Sequence, residues 1–439
     1  MIFNSTKYNS DWQDKKLSDL GTFQRGKSRH RPRNAPKLFE NGSYPLVQTG
    51  NVKAAALYIR SHDFCYNDFG LSQSALWPKN TLCITIAANI AETALLGYPM
   101  CFPDSVVGFN ADPLESSEIF MHYVFTYIRR AIQNSASGSI QDNINIEYLT
   151  GLRFKIPNKT YQDKVVGILS TLDKKIELNN SINSELEAMA KTLYDYWFVQ
   201  FDFPDVNGKP HKTSGGKMVY NTTLKREIPE GWEVSTLAHW IKSDKTGDWG
   251  KEAEEGNYTL QVDCIRGADI NGINGNGKIN TPNRFILQKN EHKLLELFDL
   301  VIEISGGSPT QSTGRMAFIT DDVLERFSHP IICSNFCKVI SLRDNDLFYC
   351  FAYLWNDLYS NGVLFGWEGK TSGIKNLLFD AFVNKHYVPL PPKHLAKQFF
   401  EFAVLIERKK QTLLKENAKL EALRDWLLPM LMNGQVTVR

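Results

Sequence analysis

The chain has 439 residues, 50 lysines and arginines against 48 aspartates and glutamates, and a formal net charge of +2, a balance that selects no partner by itself. That length exceeds one ordinary core and predicts two or three domains, folded throughout given 42% hydrophobic and 12% aromatic residues. Seven cysteines without a CxxC pair, no leader-type apolar segment after Met1, and no apolar run near the roughly 18 residues of a membrane span argue against disulfide-stapled and membrane-spanning classes, leaving a soluble cytoplasmic protein as the expectation.

Residues 15–155 alternate short β-type runs, at 46–48, 82–87 and 106–109, with Gly/Pro/Asn turns. A helix is predicted over about 116–133, then a polar loop and a strand into Pro157. Near the start lies a dense basic loop of Arg25, Lys27, Arg29, Arg31 and Arg33, with His30 among them. Broken by Gly26 and Pro32, it cannot form a helix face and must be largely exposed. A solvated surface loop is the plain alternative; alternating arginines on an extended chain favour phosphate contact, in which each neutralised phosphate releases counterions.

From Pro157 to Pro204 the apolar positions change period. Val165, Ile168, Leu172 and Ile176, then Leu186, Met189, Leu193 and Trp197, with Phe198 following, step by three and four. Asn179 and Asn183 interrupt the series. This spacing predicts a coiled-coil helix, and about 40 residues give a rod of roughly 60 Å. Its apolar edge requires a partner, supplied at about 394–428 by Phe399, Phe402, Ile406, Leu413, Leu420, Leu423 and Leu427, with Lys409 and Asn417 as polar interruptions. Polar seam residues fix register and partner number; a solvated stretch of an imperfect coil is the other reading.

A shift of 234 residues lays Pro157 on Pro391, Asp173 on Glu407, Asn183 on Asn417 and Leu186-Glu187-Ala188 on Leu420-Glu421-Ala422. Upstream the frame slips. Lys16-Leu17-Ser18-Asp19-Leu20 answers Glu233-Val234-Ser235-Thr236-Leu237, and the run from Tyr44 answers that from Tyr258. The second globular part repeats the plan, with β-type runs at 299–304 and 337–342 and a helix at about 346–360. The chain therefore reads as a tandem duplication: domain 1–156, long helix 157–204, linker 205–231, domain 232–390, and long helix with tail 391–439. The expected class is α+β, two mixed α/β domains joined by two antiparallel coiled-coil helices with internal pseudo-twofold symmetry, which suits two reading heads on one duplex.

Small polar loops recur at matching places in the halves. The first offers Asn89 in its 87–91 loop and Ser139 and Gln141 in its 137–143 loop; the second offers Ser308, Thr310, Gln311, Thr313 and Arg315, then Lys370 and Lys375. Gln48, Asn51 and Arg266 join the candidate DNA contacts, since these residue types read base edges or hold phosphates. No P-loop and no glycine-rich cofactor loop after a strand is found. Asp357, Glu368 and Lys370 have a spacing that a metal-dependent nuclease could use, but the pattern is short and lacks a copy in the first half. His329, Cys333 and Cys337 read better as buried groups beside a strand than as metal ligands.

The run Leu169-Ser170-Thr171-Leu172-Asp173-Lys174-Lys175-Ile176-Glu177-Leu178-Asn179-Asn180 resembles the central region of type I restriction–modification specificity subunits. So do Leu193-Tyr194-Asp195-Tyr196-Trp197-Phe198 and Ile228-Pro229-Glu230-Gly231-Trp232. The resemblance implies two target-recognition domains, each reading half of a split asymmetric sequence in double-stranded DNA. It implies helices that set the gap and dock two methyltransferase subunits, with Leu172, Ile176, Leu186, Met189, Leu193, Trp197, Phe198, Ile406, Leu413, Leu420, Leu423 and Leu427 in packing or docking. S-adenosylmethionine, ATP and Mg would belong to those partners and to two restriction subunits, and this chain would be non-catalytic and hold no cofactor. A two-headed protein-binding scaffold and a metal-dependent endonuclease are the alternatives.

Overall fold

The computed structural model describes residues 3–137, 144–275, 277, 279–306, 311–371 and 374–438, apart from the side chains of 135–137, 370 and 371. It forms two compact units, Met1–Leu178 with Asn417–Arg439, and Asn179–Glu416.

In the first unit five strands lie in the order Gly21–Arg25, Val106–Ala111, Leu82–Thr85, Thr93–Leu96, Tyr58–Ile59. Alternation along the strands sends Leu82, Ile84, Leu95 and Phe109 to one face, where helix Glu118–Ser137 lays down Phe120, Val124, Ile128 and Ile132 at four-residue spacing. Cys83, Ala94, Leu96 and Val106 point to the other face and pack with Trp77 and Phe102. Burial on both faces explains why these strands lack a polar stripe.

The second unit repeats the order with Ile241–Thr246, Cys337–Leu342, Leu300–Glu303 and Met316–Phe318. Helix Phe348–Ser360 packs on Leu300, Ile302 and Ile340, while Val301, Ala317 and Val339 face the opposite side. The Tyr44–Leu46 and Tyr258–Ile265 strands correspond, pairing antiparallel with Phe64–Tyr66 and Asn283–Leu287 and parallel with Met100–Cys101 and Ile331–Cys333, respectively. Each unit is closed by pairing an early strand with its last: Gln13–Lys16 with Arg153–Ile156, and Glu233–Thr236 with Tyr387–Leu390. The turns after Gln13–Lys16 and Glu233–Thr236 begin at Leu17 and Leu237, so these two leucines correspond, three residues away from the Leu20–Leu237 match drawn from sequence. Leucines at both ends of the Leu17–Leu20 turn, both buried, make the two registers equivalent in a string of letters.

The long helices are Lys159–Tyr194, extended by a π turn at Asp195–Val199, and Lys393–Met432. They pair antiparallel within each unit. Asp173 meets Arg424 at 2.8 Å in the first unit, and Asn179 meets Glu416 at 2.9 Å in the second. The expected seam holds at Val165, Ile176, Asn183, Phe399, Ile406, Leu413 and Asn417, all buried, while Leu172 and Leu420 are half-buried. It drifts by one residue elsewhere. Met189 is 51% and Leu423 42% exposed, and Lys409 faces solvent; Ala190, Arg424 and Lys410 take the inward positions. Steps of three and four both return close to the same face of a helix with about 3.6 residues per turn, and here the inward step from Ile406 is the four-residue one to Lys410 and that from Leu186 the one to Ala190. Leu186, Leu193 and Trp197 pack against the second unit's core from its margin, and Phe198 lies inside it.

His122, on the helix of the first unit, is buried with its Nδ1 3.0 Å from the Thr93 hydroxyl. Burial, against the opposing pull of Asp173 and with help from Arg129 and Arg424, lowers its pKa to about 4. On unfolding the ring returns to about 6.5, so between pH 6.5 and 4 the unfolded chain binds more protons and stability falls with acidification, by up to about 1.4 kcal/mol per unit. Above pH 6.5 this contribution is fully present. Replacing His122 by Gln should flatten that part of the urea-unfolding profile; an unchanged slope between pH 6.5 and 5 would exclude His122 as its source.

Candidate nucleic-acid interface

The basic loop leaves the edge strand Gly21–Arg25 at Gly26, whose N–H donates to the Val106 carbonyl at 2.9 Å. A Cβ at Gly26 would stand 2.3 Å from the Pro103 carbonyl oxygen, so the close approach requires glycine. The loop is braced by Arg29 N–H on the Gln73 carbonyl at 3.1 Å and by the Ser74 hydroxyl on the Lys27 carbonyl at 2.9 Å. Its cations are not equivalent. Arg25 donates to the Asp104 carbonyl at 2.5 Å, and Arg31 and Arg33 pair with the Asp104 carboxylate at 3.5 and 2.6 Å. Among the described residues Lys27 and Arg29 have no carboxylate partner, and both are exposed. Beside them Phe69 is 41% exposed, with Lys37 Nζ 5.1 Å from its ring centroid and the His30 ring edge-on at 5.7 Å.

Each unit also docks the loop between its central strands on the helix behind it. In the first unit Ala88 and Ala91 take positive φ, and the Thr85 hydroxyl donates to the Asn89 carbonyl and accepts from Glu92 N–H at 3.0 Å. Gln133 and Arg129 reach the Ile90 and Ala91 carbonyls at 2.9 and 3.3 Å, and Arg129 pairs with Glu92 at 3.1 Å. Asn89 accepts from Lys53 at 3.3 Å.

In the second unit the indole N–H of buried Trp355 donates to the Gly314 carbonyl at 2.7 Å, and the Tyr359 hydroxyl to the Ser312 carbonyl at 3.3 Å. Arg315 forms a two-pronged pair with Glu303 at 2.6 and 2.8 Å. Glu368 accepts from Thr313 N–H at 2.7 Å and from the Ser312 and Thr313 hydroxyls at 3.1 Å, and pairs with Lys375 at 3.2 Å. Burial alone would raise the Glu368 carboxyl; these donors outweigh it and hold the group below the usual carboxylate range.

Several expected contacts are therefore differently placed. Thr313, Arg315 and Lys375 are turned inward into ion pairs and hydrogen bonds, whereas Gln311 is exposed, its amide 3.4 Å from the Tyr359 hydroxyl. Arg266 is committed to Asp269 at 2.9 Å and to the Asn280 carbonyl at 2.6 Å. Gln48 is exposed before the short helix Thr49–Ala54, and Asn51 caps that helix through the Gln48 N–H at 2.8 Å and reaches Asp63 at 3.0 Å. Ser139, Gln141, Ser308, Thr310 and the Lys370 side chain lie outside the described residues. Trp355, Tyr359, Arg129 and Gln133 were missed because their partners are backbone carbonyls, which no side-chain pattern marks.

A family model described as "Type I restriction modification DNA specificity domain" matches residues 9–188. The MjaIX type I restriction enzyme specificity subunit of Methanocaldococcus jannaschii is 24% identical over 98% of this chain and 95% of its own length. The HindI specificity subunit of Haemophilus influenzae is 26% identical over 49% of this chain and 46% of its own. Residues 9–188 thus match a type I restriction modification DNA specificity domain, and the whole chain is similar to type I restriction enzyme specificity subunits. The crystal structure of the S subunit from M. genitalium shares the fold, with a TM-score of 0.55 and 18% identity over 98% of this chain and 99% of that one.

Two further features bear on this likeness. The residues of the nuclease reading have separate partners, Asp357 with Lys191 at 3.7 Å and Glu368 with Lys375 and Thr313. Cys333 and Cys337 are buried thiols raised by desolvation, and His329 turns to Asp263 at 3.4 Å. On the long helices, Ile182, Leu186, Met189, Leu193 and Phe402 line an apolar groove of about 750 Å³ in the second unit, while Leu423 and Trp426 are exposed in the first. No described helix is long and apolar enough to cross a membrane.

Trp355→Phe keeps an aromatic group but deletes the indole N–H donor to the buried Gly314 carbonyl together with part of the packed ring system. It should cost about 1–3 kcal/mol in urea unfolding, against a smaller loss for Tyr359→Phe, whose hydroxyl is half-exposed; equal, negligible losses would show that the loop does not depend on this anchor.

Proposed function

We propose that the two units read the two halves of a split, asymmetric target in double-stranded DNA. The observation that carries this reading is construction in duplicate: the same strand order, the same closing strand pair and the same loop-on-helix arrangement occur twice in one chain. Asymmetry follows from chemistry, because the first unit adds a basic loop and fixes its central loop with neutral groups and one ion pair, while the second uses buried carboxylates. Lys27 and Arg29 neutralise phosphates, and Arg25, Arg31 and Arg33, gathered at Asp104, keep the loop shaped. Gln48, Asn89 and Gln311 lie on loops suited to base edges.

The long helices are shared by both units, so their length sets the gap between the half-sites. Methyltransferase subunits dock on them, one at the groove around Met189 and one at Leu423 and Trp426; Met189 and Leu423 are equivalent under the 234-residue repeat and both are exposed. Two copies of one patch fit two copies of one partner. Those partners bind S-adenosylmethionine and methylate adenine, and two restriction subunits use ATP and Mg, so this chain supplies no catalytic group and works with them in the cytoplasm.

Co-expression with the neighbouring methyltransferase, followed by genome-wide mapping of methylated adenines, should return a bipartite motif with a fixed gap; a continuous motif would overturn the reading. Lys27→Ala combined with Arg29→Ala should weaken binding alike on target and non-target DNA and reduce the slope of log affinity against log salt by about 2. An unchanged slope would remove these cations from the phosphate contacts.

A further inference from the structure

Gln311, Ser312 and Thr313 bring no large apolar side chain to the core, so hydrophobic burial does not fix this stretch of the second unit's central loop. A carboxylate does. The Glu368 side chain is 7% and the Lys375 side chain 11% exposed. One Glu368 oxygen collects Thr313 N–H, the Thr313 hydroxyl and the Ser312 hydroxyl, and the other takes Lys375 Nζ at 3.2 Å. Lys375 Nζ also donates to the Gln311 carbonyl at 3.3 Å and lies 5.0 Å from the centre of the Phe365 ring. Glu368 and Lys375 stand on the two strands of one hairpin, Glu368–Thr371 and Ile374–Leu377. A single buried ion pair thus ties three consecutive loop residues to both strands, and the Arg315–Glu303 pair closes the far end of the loop.

We propose that Glu368 is a positioning residue for sequence selection in the second half of the target: its carboxylate holds the loop bearing Gln311 in the arrangement that discriminates bases. The proposal rests on the two-headed reading above. Buried charge gives directional, all-or-none placement, since a carboxylate removed from water must keep its donors. The first unit holds the corresponding loop by Thr85, Gln133 and the Arg129–Glu92 pair, so loss of Glu368 acts on one half-site only.

The test compares wild type, E368Q and E368Q/K375M in the full chain with its methyltransferase partner, by methylation mapping and thermal unfolding. E368Q should leave the first half and the gap unchanged and lose about tenfold discrimination at one or more positions of the second half. The double variant, freed of a lone buried ammonium, should regain thermal stability while its second half stays relaxed. A wild-type second half in E368Q, or one restored together with stability in the double variant, would overturn the proposal by making Glu368 structural only. A wild-type motif that is not bipartite would instead overturn the two-headed reading itself.

Discussion

The pairing of the two long helices is the constraint on which the other parts depend, because each unit is completed by a piece of both helices. Along that seam the contacts are partly ionic. Asp173 holds Arg424 at 2.8 Å while accepting from the Tyr123 hydroxyl at 2.6 Å. Glu407 and Lys410, 2% and 3% exposed, face each other at 3.1 Å. Burial pushes the Glu407 carboxyl above its usual range despite that ammonium. An apolar pair of similar volume would serve stability as well or better, whereas removing one partner costs roughly 3–5 kcal/mol. What the interhelical Asp173–Arg424 pair contributes is register, since a helix displaced by one position would strand both charges, whereas Glu407 and Lys410 lie one turn apart on the same helix. Under the proposal that helix length sets the gap between two half-sites, register matters more than stability.

From the seam, order extends outward through the sheets. The central strands are buried on both faces, so their loops emerge at places set by packing that the loops themselves do not influence. Each loop is then fixed by local polar chemistry, and the two units use different chemistry on the same frame. Thr85, Gln133 and the Arg129–Glu92 pair hold one loop; Trp355, Glu303–Arg315 and Glu368–Lys375 hold the other. A rigid scaffold with independently variable loops is how one fold changes its recognition without changing its core.

The C-terminal helix is tied into the second unit by more than apolar contact. Gln411 donates to the Ile273 carbonyl at 2.9 Å and accepts from Arg326 at 2.9 Å, and burial lowers the Arg326 pKa to about 10. Together with Leu395 and Phe399 in the core, these bonds make the helix part of the unit and not an appendage.

Local periodicity and internal repetition determined a great deal. The two long helices, the helices behind the sheets, the strands at 82–85, 300–303 and 337–342 and the duplicated plan are all legible as letters, because i+2 and i+3/i+4 burial leaves a direct trace in the sequence. The basic loop was legible as well, since five cations in nine residues can only be exposed. Tertiary structure alone decided which of those cations stay available, because Asp104 lies more than seventy residues away and gathers Arg31 and Arg33. It also decided that Met189, Lys409 and Leu423 face outward, because steps of three and four are both compatible with one helix face and only packing selects between them. Lastly it turned Arg315 and Lys375 from apparent DNA contacts into supports for Gln311, since partners such as Glu303 and Glu368 come from other strands and only folding brings them within hydrogen-bond reach.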